Sequence, residues 1–348
     1  MTMRGEVGKK LARACGIATA AIALAAAAAV LVLALAARPA VGIEEGSRFT
    51  VERGDSAQAV AIALERKGFI RSAFAFKLFA RVEGLGSSLK AGTYQIGPEM
   101  GAKRILDVFV SGEQALSKVT IPEGFTLSQI ASLLERLGIT TKASFLEAAS
   151  SAVLLSELGI PATSAEGYLF PDTYFLPTGY SAEGVLRTMV KAFHEHLSTI
   201  PEFVFLSSQE LYERVILASI VEREYKSPDE APLMASVFYN RLKIHMALQS
   251  CATVVYVITE HLGKAHPEVI YDRDLKIDDP YNSYEHTGLP PGPISNPGIT
   301  SLKAAFYPAA SRFLYFRLVD ANAGTHHFSA TLEEHLDARN LFIKKVEG

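Results

Sequence analysis

Residues 207–224 read SSQELYERVILASIVERE, and this stretch decides the fold because it predicts a helix that lies inside the protein. Ser207 followed by Glu210 three positions later is a capping-box pattern, which marks the start of a helix. From Val215 to Val221 the residues are apolar around most of the helix circumference. We therefore expect the C-terminal half of this helix to be largely buried.

One carboxylate of this helix points along its apolar side. At about 100° per residue, Glu222 shares a stripe with Val215 and Ala218, whereas Glu224 falls on the opposite side and is expected to face solvent. Burying an unpaired charge is costly. Glu222 therefore either has a raised pKa, as a general acid needs, or forms a salt bridge with Arg241 of the next helix. The helical pattern alone leaves both readings open.

A second helix is predicted directly after the first. Residues 227–230, SPDE, give a cap residue, a proline at the first helical position and a capping-box glutamate. The apolar pattern continues to about Met246, and the short connection makes the two helices pack against each other. Further on, residues 278–298 contain five prolines, which stiffen this loop. Its amides and tyrosines suit sugar recognition, and a purely structural loop is the alternative.

The N-terminal segment predicts a membrane anchor. Residues 16–37 are 22 residues without a charge, enough to cross a hydrocarbon core of ~30 Å. Four basic residues precede this run and only Arg38 follows it closely, so the positive-inside rule places residues 1–15 in the cytoplasm and the rest outside. A cleaved signal peptide is the alternative, because Ala34-Leu35-Ala36 resembles a small-residue cleavage site.

The part outside the membrane divides into a tether, a small module and a larger domain, over residues 38–47, 48–112 and 113–348. In the larger domain helices outnumber strands and their order is mixed, which favours an α+β fold over a doubly wound sheet. The small module has a strand–helix–helix–strand pattern, with strands at 49–51 and 92–96, and it resembles LysM-type carbohydrate-binding modules. The alternative is a small α+β spacer that only lifts the larger domain off the membrane.

Charge and cysteine content exclude several classes of protein. The net charge is −3, and residues 1–13 contribute +3 of it, which leaves about −6 for the rest. A mildly acidic domain is a poor match for nucleic acid. Cys15 and Cys251 lie on opposite sides of the membrane in this topology, which excludes a disulfide framework. His326 and His327 point to opposite faces of a strand, so we predict no metal, and we predict no cofactor either.

Several separate motifs, in this order, resemble the MltG/YceG family of endolytic murein transglycosylases. They are Glu166-Gly167, Phe170-Pro171-Asp172-Thr173-Tyr174, Leu217-Ala218-Ser219-Ile220-Val221-Glu222, Phe238-Tyr239-Asn240-Arg241-Leu242, Leu248-Gln249, Tyr281-Asn282-Ser283-Tyr284 and Gly288-Leu289-Pro290-Pro291-Gly292-Pro293-Ile294. The resemblance covers most of the part outside the membrane and implies that Glu222 is the catalytic residue. The residues that it suggests for binding substrate are Asn240, Gln249, Tyr281, Asn282 and Tyr284.

This chain departs from the family pattern at one point. The family has Thr-Asp-Pro-Thr after the glutamine, whereas Gln249 is followed here by Ser250-Cys251-Ala252-Thr253. Cys251 therefore replaces a carboxylate, so the resemblance does not predict the affinity for substrate or the catalytic efficiency of this chain. The departure motivates one alternative function, that of a catalytically weak, membrane-anchored scaffold protein that binds peptidoglycan.

The resemblance implies a lytic mechanism that needs one carboxylate. Glu222 would protonate the leaving glycosidic oxygen and then accept the proton of the C6 hydroxyl of the same N-acetylmuramic acid, which closes on C1 to leave a 1,6-anhydro end. The expected partners are nascent peptidoglycan strands, whose elongation the cleavage terminates, the inner membrane and a peptidoglycan synthase. The expected location is the bacterial inner membrane, as a single-pass protein with its catalytic domain in the periplasm.

Overall fold

The computed structural model describes residues 37–320 and 322–338, together with separate positions between Thr19 and Ala34. The chain forms two compact units. The first comprises the residues up to Leu116 together with Pro177–Gly179, and the second comprises Ser117–Leu176 with the residues from Tyr180 onward. The sequence places the boundary between the small module and the larger domain slightly earlier, after Gly112.

The small unit begins with the strand–helix–helix–strand order that the sequence predicts, and a third helix follows the second strand. Its elements are β1 (Arg48–Val51), α1 (Ala57–Arg66), α2 (Ala73–Val82), β2 (Gly92–Gln95) and α3 (Ala102–Ser111). β1 and β2 are antiparallel, with Phe49 opposite Tyr94. The two rings belong to a separate core of buried apolar side chains that the helices complete. This unit therefore has a hydrophobic core of its own.

The large unit is a mixed α+β domain dominated by helices, which confirms the predicted fold class. Its elements are β3 (Leu116–Thr120), α4 (Leu127–Arg136), α5 (Lys142–Ala149), α6 (Ala152–Glu157), β4 (Thr173–Pro177), α7 (Ala182–Leu197), α8 (Ser208–Glu224), α9 (Ala231–Lys243), α10 (Cys251–Tyr256), α11 (Ile299–Phe306), β5 (Tyr315–Asp320) and β6 (Thr325–Ser329). A π-helical turn, Val257–His261, continues α10. β3 pairs with β4, and β5 pairs with β6 in an antiparallel hairpin.

α8 is the buried helix that the opening stretch of sequence predicts. Ser207 and Glu210 form the predicted capping box, and every residue from Val215 to Val221 is buried. The helix packs against α9, α10 and α11. In its middle, the Ser219 hydroxyl accepts a hydrogen bond of 2.9 Å from the amide of Ile294. This bond fixes the proline-rich loop to the most buried part of the unit.

The second predicted helix begins later than its sequence suggests. Pro228–Glu230 form a 3-10 turn, and α9 begins at Ala231. Ser227 makes no capping bond with its side chain. The Glu230 carboxylate instead accepts a hydrogen bond of 2.9 Å from the amide of His326 and lies 2.7 Å from the Nδ1 atom of that histidine. The predicted capping box at 227–230 is therefore wrong, because strand β6 competes for the glutamate.

Ten of the 22 residues of the predicted anchor at residues 16–37 lie outside the described residues. Among those that are described, no helix combines the length and the apolar composition needed to cross a membrane.

Candidate active site

Glu224 is the last residue of α8, and the chain that leads into α10 covers its carboxylate. The carboxylate accepts hydrogen bonds from the Ser250 hydroxyl and from the amide of Ala252. The prediction that Glu224 faces solvent is therefore wrong, because the chain returns after α9 over this side of the helix. Burial raises the pKa of Glu224, while the two hydrogen bonds and the charges of Arg223 and Arg241 oppose that rise.

A cleft of about 360 Å³ lies beside this carboxylate, and we call it the Glu224 cleft. Gln249 and Tyr284, two of the residues that the sequence predicts to bind substrate, line it. Its other walls include Arg241, Cys251, Tyr315, Phe316 and His335. Among the described residues that line the cleft, Glu224 is the single carboxylate. The structure thus brings together a half-buried acid and part of the predicted binding set.

Gln249 is held in an unusual backbone conformation at the mouth of this cleft. Its φ of 49° lies in the left-handed region, which costs energy in any residue other than glycine and often occurs at functional sites. Its amide donates a hydrogen bond of 3.0 Å to the carbonyl of Ser283, and the next amide, of Ser250, donates to the Ser283 hydroxyl at 3.0 Å. These bonds hold the strained residue, whose side chain is exposed.

Cys251 and Tyr284 are neighbours in the cleft. The Sγ atom of Cys251 lies 3.1 Å from the hydroxyl of Tyr284, and burial raises the pKa of that tyrosine. The residue that replaces the family aspartate is therefore in direct contact with a predicted substrate-binding side chain. A thiol at this position carries no full charge when protonated, so the cleft offers substrate a less polar wall here than a carboxylate would.

Arg241 is buried and donates hydrogen bonds to the backbone around the cleft. Its guanidinium donates hydrogen bonds to the carbonyls of Leu314 at 2.6 Å and Leu248 at 2.8 Å. Among the described ion pairs, none joins Arg241 to Glu222. The salt bridge that the sequence left open as an alternative for Glu222 is therefore not formed.

Glu222 lies outside the Glu224 cleft, against the start of α11. Its Oε2 atom accepts hydrogen bonds from the amide of Gly298 at 2.9 Å and from the Ser301 hydroxyl at 2.6 Å. Burial raises the pKa of Glu222 to about 7, and the negative charge of Glu123 adds to that rise, while the hydrogen bonds oppose it. The predicted catalytic residue thus has the raised pKa expected of an acid but caps a helix and does not line the cleft.

Three other predicted binding residues have contacts within the fold. The side-chain amide of Asn240 donates to the carbonyls of Ser311 and Phe313, and that of the fully buried Asn282 donates to the carbonyls of Leu275 and Ile277. These contacts hold both side-chain amides against the backbone of the fold. The ring of Tyr281 packs against Tyr256 at 5.2 Å and does not line the cleft.

The described residues contain no group of three or more histidines, cysteines and carboxylates that could hold a metal ion. His326, which the sequence considers as a ligand, is nearly buried and is paired with Glu230.

Sequence reasoning missed that Glu224 lines a cleft together with Gln249 and Tyr284. The helical wheel separates Glu222 from Glu224 correctly, but it contains no information about which later segment covers each side. The available signal was the Leu248-Gln249 motif, which lies directly before Ser250 and Ala252, the residues that bind the carboxylate.

Comparison with protein families matches most of the chain to one family. The model of the YceG-like family matches residues 49–340. The endolytic murein transglycosylase of Bacillus subtilis (strain 168) is 32% identical over 321 residues, which cover 86% of this chain and 87% of that protein. The endolytic murein transglycosylase of Streptococcus pneumoniae serotype 2 (strain D39 / NCTC 7466) is 30% identical over 324 residues, 85% of this chain and 56% of the longer relative.

A solved structure is also similar. The crystal structure of a YceG-like protein from Listeria monocytogenes aligns with a TM-score of 0.56 and 34% sequence identity. The alignment covers 84% of this chain and 99% of that one. The similarity therefore extends over both compact units and not only over the segment that contains α8.

Proposed function

Because this chain belongs to the YceG-like family and has relatives named endolytic murein transglycosylases, we infer that it is a peptidoglycan lytic transglycosylase, and we propose that Glu224 is its single acid and base. One observation carries the proposal about Glu224. Its carboxylate is the only one among the described residues of a cleft that also holds Gln249 and Tyr284.

The environment of Glu224 suits a general acid. Burial raises its pKa, so a larger share of the carboxyl groups is protonated near neutral pH than in an exposed glutamate. The hydroxyl of Ser250 and the amide of Ala252 fix the orientation of the group. They also stabilise the carboxylate that remains after the proton has been transferred, which is the form that must act as base in the second half of the reaction.

The proposed reaction cleaves the bond between N-acetylmuramic acid and N-acetylglucosamine. Glu224 donates its proton to the glycosidic oxygen as the bond from that oxygen to C1 breaks, and C1 acquires oxocarbenium character. The C6 hydroxyl of the same N-acetylmuramic acid then attacks C1, and its proton passes to the Glu224 carboxylate. The products are a free hydroxyl on N-acetylglucosamine and a 1,6-anhydro end, with the enzyme restored and no water consumed.

A single carboxylate is sufficient for this route. Glycosidases that use water or a covalent intermediate place two carboxyl groups on either side of the scissile bond, roughly 5–10 Å apart. The described lining of the Glu224 cleft supplies one. Attack by a hydroxyl of the same sugar replaces the second group, because an intramolecular nucleophile has a high effective concentration.

Product analysis in water enriched in the heavy oxygen isotope tests the proposed reaction. The purified chain should convert uncrosslinked glycan strands into products with anhydro ends that contain no label. Labelled reducing ends would show hydrolysis and would contradict the proposed route. Complete absence of cleavage would favour the alternative of a catalytically weak scaffold, for which the contact of Cys251 with Tyr284 is the supporting observation.

We propose further that the enzyme acts next to the membrane. The uncharged run at residues 16–37 and the basic residues before it support a single-pass anchor with the N-terminus inside and both compact units in the periplasm. This placement gives the cleft access to nascent strands near a peptidoglycan synthase, where cleavage terminates elongation. The small unit, with its LysM-like order of elements, would then lie between the anchor and the large unit in the chain.

A further inference from the structure

A second cavity adjoins the Glu224 cleft in the large unit. It has a volume of about 230 Å³, and the residues important for its chemistry are Gln129, Arg223, Val255, Tyr256, Glu260 and His266. We call it the Gln129 cavity. Apart from Ala252, whose amide binds the Glu224 carboxylate, it contains none of the residues for which a role in the reaction has been argued above.

At two places, residues that are neighbours in the sequence line the two spaces. On α8, Glu224 lines the cleft and its neighbour Arg223 lines the Gln129 cavity. On α10, Cys251 lines the cleft and its neighbour Ala252 lines the cavity, while the amide of Ala252 binds the Glu224 carboxylate. The two spaces therefore lie next to the same segments of α8 and α10, on which Glu224 and its partner amide are located.

Three polar side chains of the cavity are each anchored by one atom. The Oε1 atom of Gln129 accepts from the amide of Thr126 at 2.9 Å, the Oε1 atom of Glu260 accepts from the Thr126 hydroxyl at 3.0 Å, and an Nη1–H of Arg223 donates to the carbonyl of Gly124 at 3.1 Å. Within the described part of the chain, the amide nitrogen of Gln129, the Oε2 atom of Glu260 and the second terminal nitrogen of Arg223 make no hydrogen bond.

Such side chains are preorganised for a polar ligand. One end is fixed by the fold, so little rotational freedom is lost when the other end binds. The free atoms comprise donors and an acceptor, the combination that sugar hydroxyls and N-acetyl groups require. Tyr256 adds a flat apolar surface, and its ring is held by Tyr281 at 5.2 Å. The cavity is smaller than the roughly 300–1,000 Å³ of a pocket for a drug-sized ligand. Its size therefore suits a smaller group, such as one sugar ring.

We propose that the Gln129 cavity is a saccharide subsite that binds a remote sugar of the same glycan strand whose scissile bond lies at Glu224. This inference rests on the proposed function, because it takes the substrate to be a glycan strand. It makes the affinity of the enzyme dependent on strand length. A strand long enough to occupy both spaces gains the contacts of the second one, whereas a short fragment that fills only the cleft does not.

Equilibrium binding to the full-length chain tests the proposal, on a Glu224→Gln background so that the strands are not consumed. The probes are long glycan strands freed of stem peptides and a tetrasaccharide of the same composition. Val255→Phe fills the cavity, and Gln129→Glu keeps the acceptor for the Thr126 amide but removes the free donor. We expect the ratio of tetrasaccharide Kd to long-strand Kd to fall about tenfold with Val255→Phe and severalfold with Gln129→Glu.

Two matched variants control for the substitutions themselves. Val204→Phe adds the same bulk at an exposed valine, and Gln209→Glu makes the same change at an exposed glutamine of α8. Both should keep the parent ratio. An unchanged ratio in Val255→Phe and Gln129→Glu would overturn the proposal. Long strands that retain their stem peptides are a third probe, and an effect confined to them would also overturn it, because the cavity would then hold peptide. Failure of the proposed function is separate, since the parent chain would then form no anhydro ends, and failure of the Glu224 assignment would appear as anhydro ends formed by Glu224→Gln.

Discussion

Glu222 and Glu224 are two residues apart on α8, yet their surroundings differ in what a substrate can reach. Glu222 has its Oε2 atom occupied by Gly298 and Ser301 at the start of α11. Glu224 is bound by Ser250 and borders a cleft. Burial raises the pKa of both carboxyl groups, so the pKa alone does not distinguish an acid from a structural group. The two carboxyl groups are distinguished by access to a cleft that contains other predicted binding residues, which Glu224 has.

The hydrogen bond from Ser250 should set the pH range of activity. A donor to a carboxylate favours its charged form, so removing it in Ser250→Ala raises the pKa of Glu224 further. The general acid must be protonated, and activity therefore falls as pH rises through this pKa. We expect the alkaline limb of the kcat profile to move to higher pH in Ser250→Ala. Thr253→Ser, which keeps the buried hydroxyl bonded to the Ser250 carbonyl, is the control; an unmoved limb would exclude Ser250 as a determinant.

At the scale of single residues, the sequence predicts the side of a helix on which a side chain lies. It does not predict which later segment of the chain packs over that side. The wheel of residues 207–224 puts Glu222 on the apolar stripe, and the structure confirms that this side chain meets the rest of the fold. What the wheel cannot supply is the path of the chain after α9, which buries Glu224 and leaves Gln249 beside it. Asn240 and Asn282 show the same limit, because an amide in a family motif has the same letter whether it binds sugar or backbone.

At the scale of elements, Glu222 joins two helices. Its carboxylate receives the amide of Gly298 and the hydroxyl of Ser301 at the N-terminal end of α11, where a negative charge interacts favourably with the helix dipole. α11 packs closely on α8, which carries Glu224 at its end. The junction thus helps to hold the helix that presents the acid.

This junction makes a prediction about stability. The pKa of Glu222 is raised from 4.5 to about 7, so the folded state binds more protons than the unfolded state between these values. The contribution of the protonated Glu222 to the free energy of unfolding is fully present below pH 4.5 and is lost as pH rises to about 7. The loss is up to about 1.4 kcal/mol per pH unit. Glu222→Gln should remove this slope in denaturant titrations. Glu213→Gln, an exposed site on the same helix, should keep it; an unchanged slope in Glu222→Gln would contradict the assignment.

The sequence predicts well those elements whose capping residues, apolar pattern or turn residues lie within or directly beside the element. The capping box at Ser207 and the apolar run that follows give α8, and the turn residues around the small module give its order of strands and helices. The start of α9 is missed for a non-local reason. Glu230 could cap its own helix, but His326, far along the chain, provides a better-placed partner. Competition of this kind becomes visible only when distant strands are placed.

At the scale of the whole molecule, the proposed anchor determines where the enzyme works. A lysine in the middle of a membrane-spanning helix costs about 2.5–3.5 kcal/mol. Replacing Ala27 and Leu31 together by lysine should therefore move the chain from the membrane to the soluble fraction of a cell lysate, whereas Ile62→Lys, at an exposed position of α1, should not. A parent chain that is itself soluble and lacks residues 1–36 would support the cleaved signal peptide instead.

Activity of two isosteric variants on uncrosslinked glycan strands tests the central claim most directly. Glu224→Gln and Glu222→Gln each remove one ionisable carboxyl from the same helix at nearly constant volume. The measured quantity is the rate at which 1,6-anhydro ends form, by mass spectrometry, with folding checked by circular dichroism. The structure predicts a loss of at least about a hundredfold for Glu224→Gln and less than about tenfold for Glu222→Gln. An inactive Glu222→Gln beside an active Glu224→Gln would contradict it and return the catalytic role to Glu222.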